Sequence, residues 1–330
     1  MVARMARARP TIGTLGELGF LARIVRHRPS GPGVVVGPGH DCALVRCGGQ
    51  RLLYTVDALV EGVHFRQHWL SPYQLGRRSF LVNASDIAAM GGRPRFCVVN
   101  LIVPAAYAVN DLLQIQRGIV TAARTCGASV VGGNLSRGRQ LSITIALLAE
   151  APSRLVTRSG ARPGHRIYVT GTLGDAALGR RMLRSRHTAP PIRRFCEPSP
   201  RLQAGRVLVE RGIVSAMIDV SDGLLQDLRH LCNHGRVGAV LRANDLPLSA
   251  AYRGVLAGDV SLALSGGEDY ELLCTVPEDR VKRLERYAGQ LGCPITDIGV
   301  VTAGRGVRVE DGRGRALRVG ARGYDHFRGV

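Results

Sequence analysis

The sequence predicts a two-domain protein of mixed α/β class, from its length, its pattern of strands and helices, and one break in the chain. With 330 residues, the chain is long enough for two domains that each bury a core. Strands alternate with helices through the C-terminal half, which is typical of an α/β layer. Residues 151–164 are rich in Pro, Ser and Arg and form the expected junction. We therefore predict domains 1–152 and 153–330.

The N-terminal half opens with an amphipathic segment, 14–27, whose apolar residues recur at helical spacing. A second helix is expected at 111–125. Apolar runs predict strands at 34–36, 52–57, 96–103, 128–131 and 141–150. This half should therefore build one sheet with helices packed on it.

One helix in this half is apolar on nearly every side, the segment 81–92 with the sequence LVNASDIAAMGG. Such a helix is buried rather than laid on a surface. Asp86 interrupts it, and a buried carboxylate is costly unless a cation meets it. Two interpretations stay open: Asp86 pairs with one of the many arginines, or it faces a metal-binding cleft.

In the C-terminal half, a strand at 166–170 leads through the turn GTLGD into a helix ending near residue 183. Residues 186–200 read as an irregular Pro- and Arg-rich loop, and 263–269 as a second loop. Ser221, Asp222 and Gly223 should cap a helix that runs to residue 233. Other helices are predicted at 201–211 and 279–291, and strands at 216–220, 237–241, 270–276, 295–301 and 307–309.

Charge and cysteine content exclude several kinds of protein. The net charge is +20, nearly all from arginine, since Lys282 is the only lysine. The arginines are spread along the chain without a basic arm, so a basic surface is expected and nucleic acid is not the expected partner. The eight cysteines form no C-x-x-C pair, which indicates buried thiols rather than a zinc site or disulfides.

No apolar run reaches membrane-spanning length, and the basic start MVARMARARP leads into no apolar signal region. We therefore expect a cytoplasmic protein without a membrane partner.

Acidic residues recur at the ends of predicted elements, beside glycines that let another group approach the backbone. They are Asp41, Asp57, Asp86, Asp219, Asp222, Glu268 and Asp269. Carboxylates without histidine or cysteine ligands suit Mg²⁺, which in turn suits phosphate. The chain carries no G-x-x-x-x-G-K-[ST] loop and no G-x-S-x-G elbow, so neither a P-loop enzyme nor a hydrolase of that kind is expected.

Taken together, these motifs resemble the thiamine-monophosphate kinase family, of the superfamily that includes aminoimidazole ribonucleotide synthetase. The matching pieces span almost the whole chain: GELGFLARI, GPGHDCALV, YTVDALVEGVHF, LVNASDIAAMGG, VVGGNLSRG, RSGARPGHRIYVTGTLGDAALG, IDVSDGLLQDL, ALSGGEDYELLCTVP and GYDHF. The resemblance implies a two-domain synthetase-like fold, in which an N-terminal sheet domain dimerises and a C-terminal α/β domain completes the substrate site.

The resemblance also implies an activity and a set of site residues. The expected reaction moves the γ-phosphoryl group of ATP onto thiamine monophosphate, with Mg²⁺ and with no covalent protein nucleophile. Metal-binding positions would be Asp41, Thr55, Val56, Asp57, Asp86, Asn134, Asp219 and Asp222. ATP-binding positions would be Gly133, Asn134, Arg158 and Ser221, and substrate-binding positions His64, Glu268 and Tyr324.

Elementary chemistry agrees with that assignment, because two phosphorylated molecules must meet without their charges repelling. The protein then needs to supply cations and position. Arg158 could fork onto phosphate oxygens, and Tyr324 could stack on a cationic thiamine ring. Glu268 could offset the charge of that ring or accept a hydrogen bond from its amino group.

The chain departs from the family pattern at three positions. His40 stands where the family has Asp, Val56 where it has Thr, and Asn134 where it has Asp. Val56 leaves only a backbone oxygen, and Asn134 keeps an oxygen but loses a charge, so both should weaken one Mg²⁺ site near Asp57. The alternative function is therefore a catalytically weakened relative that binds nucleotide or thiamine phosphate.

Overall fold

Two six-stranded sheets, one in each half of the chain, set the positions of everything else. The computed structural model of the protein describes residues 11–26, 31–183 and 189–317. The predicted site residue Tyr324 and part of the predicted loop 186–200 lie outside these ranges. None of the helices within them is both long and apolar enough to cross a membrane.

The N-terminal sheet has the strand order β1-β2-β3-β6-β4-β5. Its strands are β1 (Val34–Val36), β2 (Ala43–Cys47), β3 (Gln50–Val60), β4 (Arg93–Val103), β5 (Ser129–Arg137) and β6 (Ser142–Glu150). Its helices are α1 (Ile12–Leu15), α2 (Glu17–Arg26), α3 (Pro72–Ala89) and α4 (Val109–Thr125). β4 and β5 are parallel and joined through α4, whereas the other neighbours are antiparallel.

One face of this sheet is covered and the other is open. Along β6, Ile143, Ile145 and Leu147 are buried and alternate with partly exposed residues, so a single face packs against the helices. On the opposite face, Val56 is 55% exposed and Val98 is 43% exposed.

The C-terminal sheet has the order β12-β9-β11-β7-β10-β8 and is antiparallel except between β12 and β9. Its strands are β7 (Arg166–Thr170), β8 (Ala216–Asp219), β9 (Gly238–Arg242), β10 (Leu272–Val276), β11 (Ile295–Thr302) and β12 (Gly306–Glu310). Its helices are α5 (Asp175–Met182), α6 (Pro190–Cys196), α7 (Leu202–Glu210), α8 (Leu224–Gly235), α9 (Ala250–Leu256), α10 (Ser261–Ser265) and α11 (Val281–Tyr287).

Helix α3 is the element that both halves share. Ser71 caps it in a box with Gln74 and Pro72 opens it, so it begins well before the apolar stretch that predicted it. Its C-terminal end packs on α7 so closely that a Cβ on Gly205 would lie 2.0 Å from the Ala88 carbonyl oxygen. The helix therefore holds one end of the N-terminal sheet against the C-terminal half.

Several sequence-based assignments were wrong in detail. The prediction of an irregular loop is wrong for 190–196, because Pro190 and Pro191 occupy the first turn of α6, where a missing N–H costs nothing. The predicted loop 263–269 begins inside α10. The expected cap of α8 by Ser221 and Asp222 is also wrong, since neither side chain caps it.

Candidate active site

Three carboxylates from different elements meet at the boundary between the two halves. Asp41 precedes β2, Asp86 lies in the last turns of α3, and Asp219 ends β8. One oxygen of each lies within 4.8 Å of the others, close enough to share one metal ion. The structure thus brings together acids that the sequence placed at separate element ends.

Hydrogen bonds fix each of the three carboxylates. The hydroxyl of Thr55 donates to Asp86 Oδ2 at 2.5 Å, and that of Ser85 to Asp219 Oδ2 at 2.6 Å. Arg158 forks onto Asp41, with Nη2 2.8 Å from Oδ1 and Nε 3.3 Å from Oδ2. Within the described ranges Asp86 forms no ion pair with an arginine, so the metal-facing interpretation fits it better.

The electrostatics of the cluster are those of a cation site. Burial, together with the charge of Asp222, raises the pKa of Asp57 to about 6. Burial and the neighbouring Asp41 raise the pKa of Asp219 to about 7. Burial, then the charges of Asp57 and Asp219, raises the pKa of Asp86 well above its usual value. These raised pKa values show that the ionised forms are disfavoured here, so a cation would stabilise them, and an all-oxygen donor set suits Mg²⁺.

The loop 221–223 brings Ser221 and Asp222 close to the acidic cluster. Asp227 lies in the first turn of α8 and is buried. Its Oδ2 accepts hydrogen bonds from the backbone N–H groups of Ser221, Asp222 and Gly223, each at 3.1 Å. One buried carboxylate therefore shapes the loop in place of the predicted side-chain cap.

A cavity of about 240 Å³ opens beside the cluster. Its lining includes the predicted site residues Asp57, His64, Asp86, Asp219, Ser221, Asp222 and Glu268. The ring of His64 is held by the backbone N–H of Val60, which donates to Nδ1 at 3.0 Å, so the neutral ring carries its proton on Nε2. The cavity is therefore acidic at one end and has polar and aromatic groups at the other.

Glu268 lies on a tightly constrained segment at the second end of this cavity. Its backbone has φ +74°, a conformation that non-glycine residues rarely adopt. Its carboxylate pairs with the guanidinium of Arg78, a fully buried residue of α3.

Asn134, Gly133 and Val56 do not join the cluster within one chain. Gly133 lies three strands from Asp57 in the same register row, roughly 14 Å away at the usual strand spacing. Asn134 is in the next row, so it faces the open side of the sheet, where its amide donates to Asn100 Oδ1 at 2.9 Å. The side chain of Val56 points to that open side as well. The expectation that Val56 and Asn134 affect one site near Asp57 therefore finds no support in a single chain.

The residues of this region that sequence analysis missed include Arg78, Asp227, Arg180, Tyr270 and Ser85. Arg180 and Tyr270 line the cavity, and Arg78 and Asp227 hold its loops. A signal existed for Arg78, because the S-P-x-Q sequence at 71–74 marks a helix start that would have placed this arginine inside a buried helix.

Comparison with known proteins agrees with the geometry. Residues 39–151 match the family model described as AIR synthase related protein, N-terminal domain, and residues 162–312 match its C-terminal domain. The thiamine-monophosphate kinase of Escherichia coli strain K12 is 37% identical over 326 residues, covering 94% of this chain and 98% of its own length. That of Mycobacterium tuberculosis strain H37Rv is 36% identical, covering 82% and 83%.

Solved structures give the same result. The structure described as AaThiL complexed with AMPPCP and TMP superposes with a TM-score of 0.84 at 31% identity, over 97% of this chain and 99% of the other. The thiamine-monophosphate kinase of Stenotrophomonas maltophilia K279a gives a TM-score of 0.75 at 33% identity, over 90% and 95%. The hydrogenase maturation protein HypE of E. coli shares the fold, with a TM-score of 0.67 at 22% identity.

The two sheet domains and the acidic cleft between them define a protein of the AIR synthase-related class, as the synthetase-like fold expected from the sequence implied. Within that class, the identity and coverage of the curated relatives are decisive. The chain belongs to the thiamine-monophosphate kinase family.

Proposed function

We propose that the protein transfers the γ-phosphoryl group of ATP to thiamine monophosphate, giving thiamine diphosphate. The observation that carries the proposal is the meeting of Asp41, Asp86 and Asp219 at one end of a cavity whose other end holds Glu268. A relative that superposes over nearly the full chain is AaThiL complexed with AMPPCP, an ATP analogue, and TMP.

Mg²⁺ would be held by the acidic end of the cavity. Asp41, Asp86 and Asp219 supply one shared set of oxygens. Asp57 and Asp222 line the same cavity, and the charge of Asp222 acts on Asp57, so these two would offer further oxygens. When bound, Mg²⁺ would supply positive charge that offsets the phosphate charges, so that two anionic molecules could approach each other. The protein's own residues then align the two substrates and need supply no nucleophile, because an oxygen of thiamine monophosphate attacks in line.

Different loops would bind the nucleotide and the thiamine substrate. Arg158 lies against Asp41, and Ser221 is held open by Asp227, so both can meet the nucleotide phosphates. His64, Glu268 and the ring of Tyr270 line the other part of the cavity, where the thiamine rings would lie. Tyr324, outside the described residues, stays a predicted stacking partner.

A homodimer forms part of the proposal. The open face of the N-terminal sheet exposes Tyr54, Val56, Phe96 and Val98, each by more than 40%. Apolar patches of this kind mark protein interfaces. A second copy on that face would contact Asn134, which a single chain leaves on the side of the sheet opposite Asp57.

The test of the reaction is formation of thiamine diphosphate from ATP and thiamine monophosphate by the purified protein. We expect turnover that requires Mg²⁺ and falls about 100-fold or more in Asp219→Asn. Asp245→Asn, an exposed acid with a local ion pair, is the matched control and should retain activity. Absence of product from the unchanged protein, with ATP binding preserved in calorimetry, would favour the weakened-relative alternative.

The test of the dimer is sedimentation or light scattering of Val98→Glu. A charge on the open sheet face should yield monomers and reduce turnover. Val255→Glu places the same charge on α9, at a residue that is 55% exposed, and should leave the assembly unchanged.

A further inference from the structure

Arg78 is a charged side chain buried completely between the two halves of the chain. None of its side-chain surface is exposed, although it lies on α3, beside the apolar residues of the helix core. Burial of a guanidinium is unfavourable unless its N–H groups and charge are met. The buried guanidinium therefore needs hydrogen-bond acceptors and a negative charge close to it.

The partners of Arg78 all come from the C-terminal half. Nη2 donates to Glu268 Oε1, and Nη1 donates to the carbonyl oxygen of Phe195. The guanidinium also lies 4.4 Å from the ring centre of Phe195 and 5.8 Å from that of Tyr270. Nε has no hydrogen-bond partner within the part of the chain that the structure describes, so the two terminal nitrogens set the orientation of the group there.

Glu268 is fixed from its backbone side as well. Its N–H donates to the Ser221 carbonyl oxygen at 2.7 Å. Gly267 lies so close that a Cβ would be 2.4 Å from the same oxygen. The backbone of Glu268 thus rests on the loop of Ser221 and Asp222, and its side chain is tied by Arg78 to α3.

Helix α3 therefore sets the distance between the two ends of the cavity. Arg78 and Asp86 are eight residues apart on it, about 12 Å at the rise of an α-helix. Asp86 belongs to the metal cluster, and Arg78 holds the carboxylate of Glu268. The same helix therefore positions both the metal cluster and Glu268.

The ion pair also changes what Glu268 can offer a ligand. Its charge is already balanced by Arg78, and among the described residues only Oε1 accepts a hydrogen bond. The side chain keeps 20% of its surface exposed and lines the cavity. The remaining oxygen, Oε2, is therefore better suited to accept a hydrogen bond from an amino group on a heteroaromatic ring than to balance the charge of a cationic ring.

We propose that Arg78 is a positioning residue that holds Glu268 as a hydrogen-bond acceptor for the amino group of the thiamine-side substrate. The inference rests on the proposed function. It assigns to a residue of the N-terminal domain a part in recognising the ring that the C-terminal domain binds.

The experiment measures KM for thiamine monophosphate, KM for ATP and kcat in Arg78→Met, Glu268→Gln and the double variant. We expect Arg78→Met to raise KM for thiamine monophosphate about tenfold to 100-fold, with KM for ATP changed much less. In the Glu268→Gln background the same substitution should add little, because its target is already altered. Arg78→Lys, which keeps a charge and donors, should recover most of the affinity.

The outcomes separate this inference from the proposed function. Lack of turnover in the unchanged protein would count against the kinase reaction itself. Normal turnover, with KM for thiamine monophosphate unchanged or lowered in Arg78→Met, or with additive effects in the double variant, would overturn the role of Arg78 alone. Should Arg78→Met not fold, Arg78→Gln takes its place under the same criteria. If neither neutral variant folds while Glu268→Gln does, the pair serves the fold and the inference is overturned.

Discussion

Asp41 and Asp219 place carboxylate oxygens within 4.8 Å of each other, although one precedes β2 of the first sheet and the other ends β8 of the second. Two carboxylates at this separation repel unless a proton or a cation lies between them. The pKa of Asp219 is raised to about 7, first by burial and then by the charge of Asp41, so a bound cation would stabilise its charged form. Binding of a cation is thereby linked to the contact between the two halves.

The first prediction concerns the pH dependence of stabilisation by Mg²⁺. Because the pKa of Asp219 is about 7 when folded and near 3.8 when unfolded, the metal-free folded state holds more protons between those values. Its stability should therefore fall as pH rises through that window. Mg²⁺ replaces the protons, so it should raise the melting temperature more at about pH 8 than at about pH 5.5, by roughly 5 °C.

Thermal denaturation with and without Mg²⁺ at the two pH values checks this. Asp219→Asn is the informative variant, since it should lose most of the pH-dependent difference. Equal shifts at both pH values in the unchanged protein would contradict the account.

A second prediction concerns Asp227, which orders the loop of Ser221 and Asp222 without lining the cavity. Asp227→Ala removes one acceptor from three backbone N–H groups. We expect KM for ATP to rise about tenfold and the free energy of unfolding to fall by about 2 kcal/mol, because buried donors are left unmet. Asp227→Asn keeps an oxygen acceptor and should lose less of both. An unchanged KM for ATP in a folded Asp227→Ala protein would show that this loop takes no part in binding ATP.

A third prediction concerns Glu271, whose side chain is completely buried next to this region. It accepts hydrogen bonds from Arg194, Arg201 and the hydroxyl of Thr170. Glu271→Ala leaves two arginines unpaired and should lower the free energy of unfolding by about 3 kcal/mol or more. Glu150→Ala, which breaks an ion pair with Arg95 on the exposed surface, should cost less than about 1 kcal/mol. Equal losses of unfolding free energy for the two variants in urea denaturation would contradict the prediction that the buried ion pairs contribute more than the exposed one.

Sequence reasoning located the acidic residues of the site, but few of the residues that hold them in place. Asp57 and Asp219 were identifiable because each follows an apolar strand, and Asp86 because it interrupts an apolar helix. Of the residues that hold them, Thr55 was named only through the family resemblance and Ser85 was not named, since both act through contacts between neighbouring elements. The distance from Ser85 to Asp219 is decided by the packing of α3 on β8, which no local pattern reports.

The errors have equally local causes. Helix α6 was taken as loop because two prolines were read as breakers, whereas at the first turn they favour a helix. The assignment of Asn134 to the site near Asp57 came from the family resemblance and stays a prediction, because within one chain the two residues lie three strands apart. Periodicity predicts strands and faces, and it does not predict which strands become neighbours.

The last prediction addresses Asn134 and the open sheet face together. Asn134→Asp adds a carboxylate that, within one chain, lies on the side of the sheet opposite Asp57, so an isolated subunit should not respond to it. In a dimer that brings this residue to the partner's cluster, the added charge should lower the Mg²⁺ concentration for half-maximal activity by roughly threefold or more. Mg²⁺ titration of turnover measures the change.

Gln140→Glu is the matched control, since it makes the same change from amide to carboxylate at an exposed residue of the turn between β5 and β6. Ser136 is unsuitable because its hydroxyl accepts a hydrogen bond from the Asn134 amide at 3.0 Å. Gln140→Glu should leave the Mg²⁺ requirement nearly unchanged. Combining Asn134→Asp with Val98→Glu, which should separate the subunits, is expected to abolish the gain. A gain that persists in monomers, or an equal gain from Gln140→Glu, would mean that general surface charge rather than a ligand from the second subunit tunes the metal site.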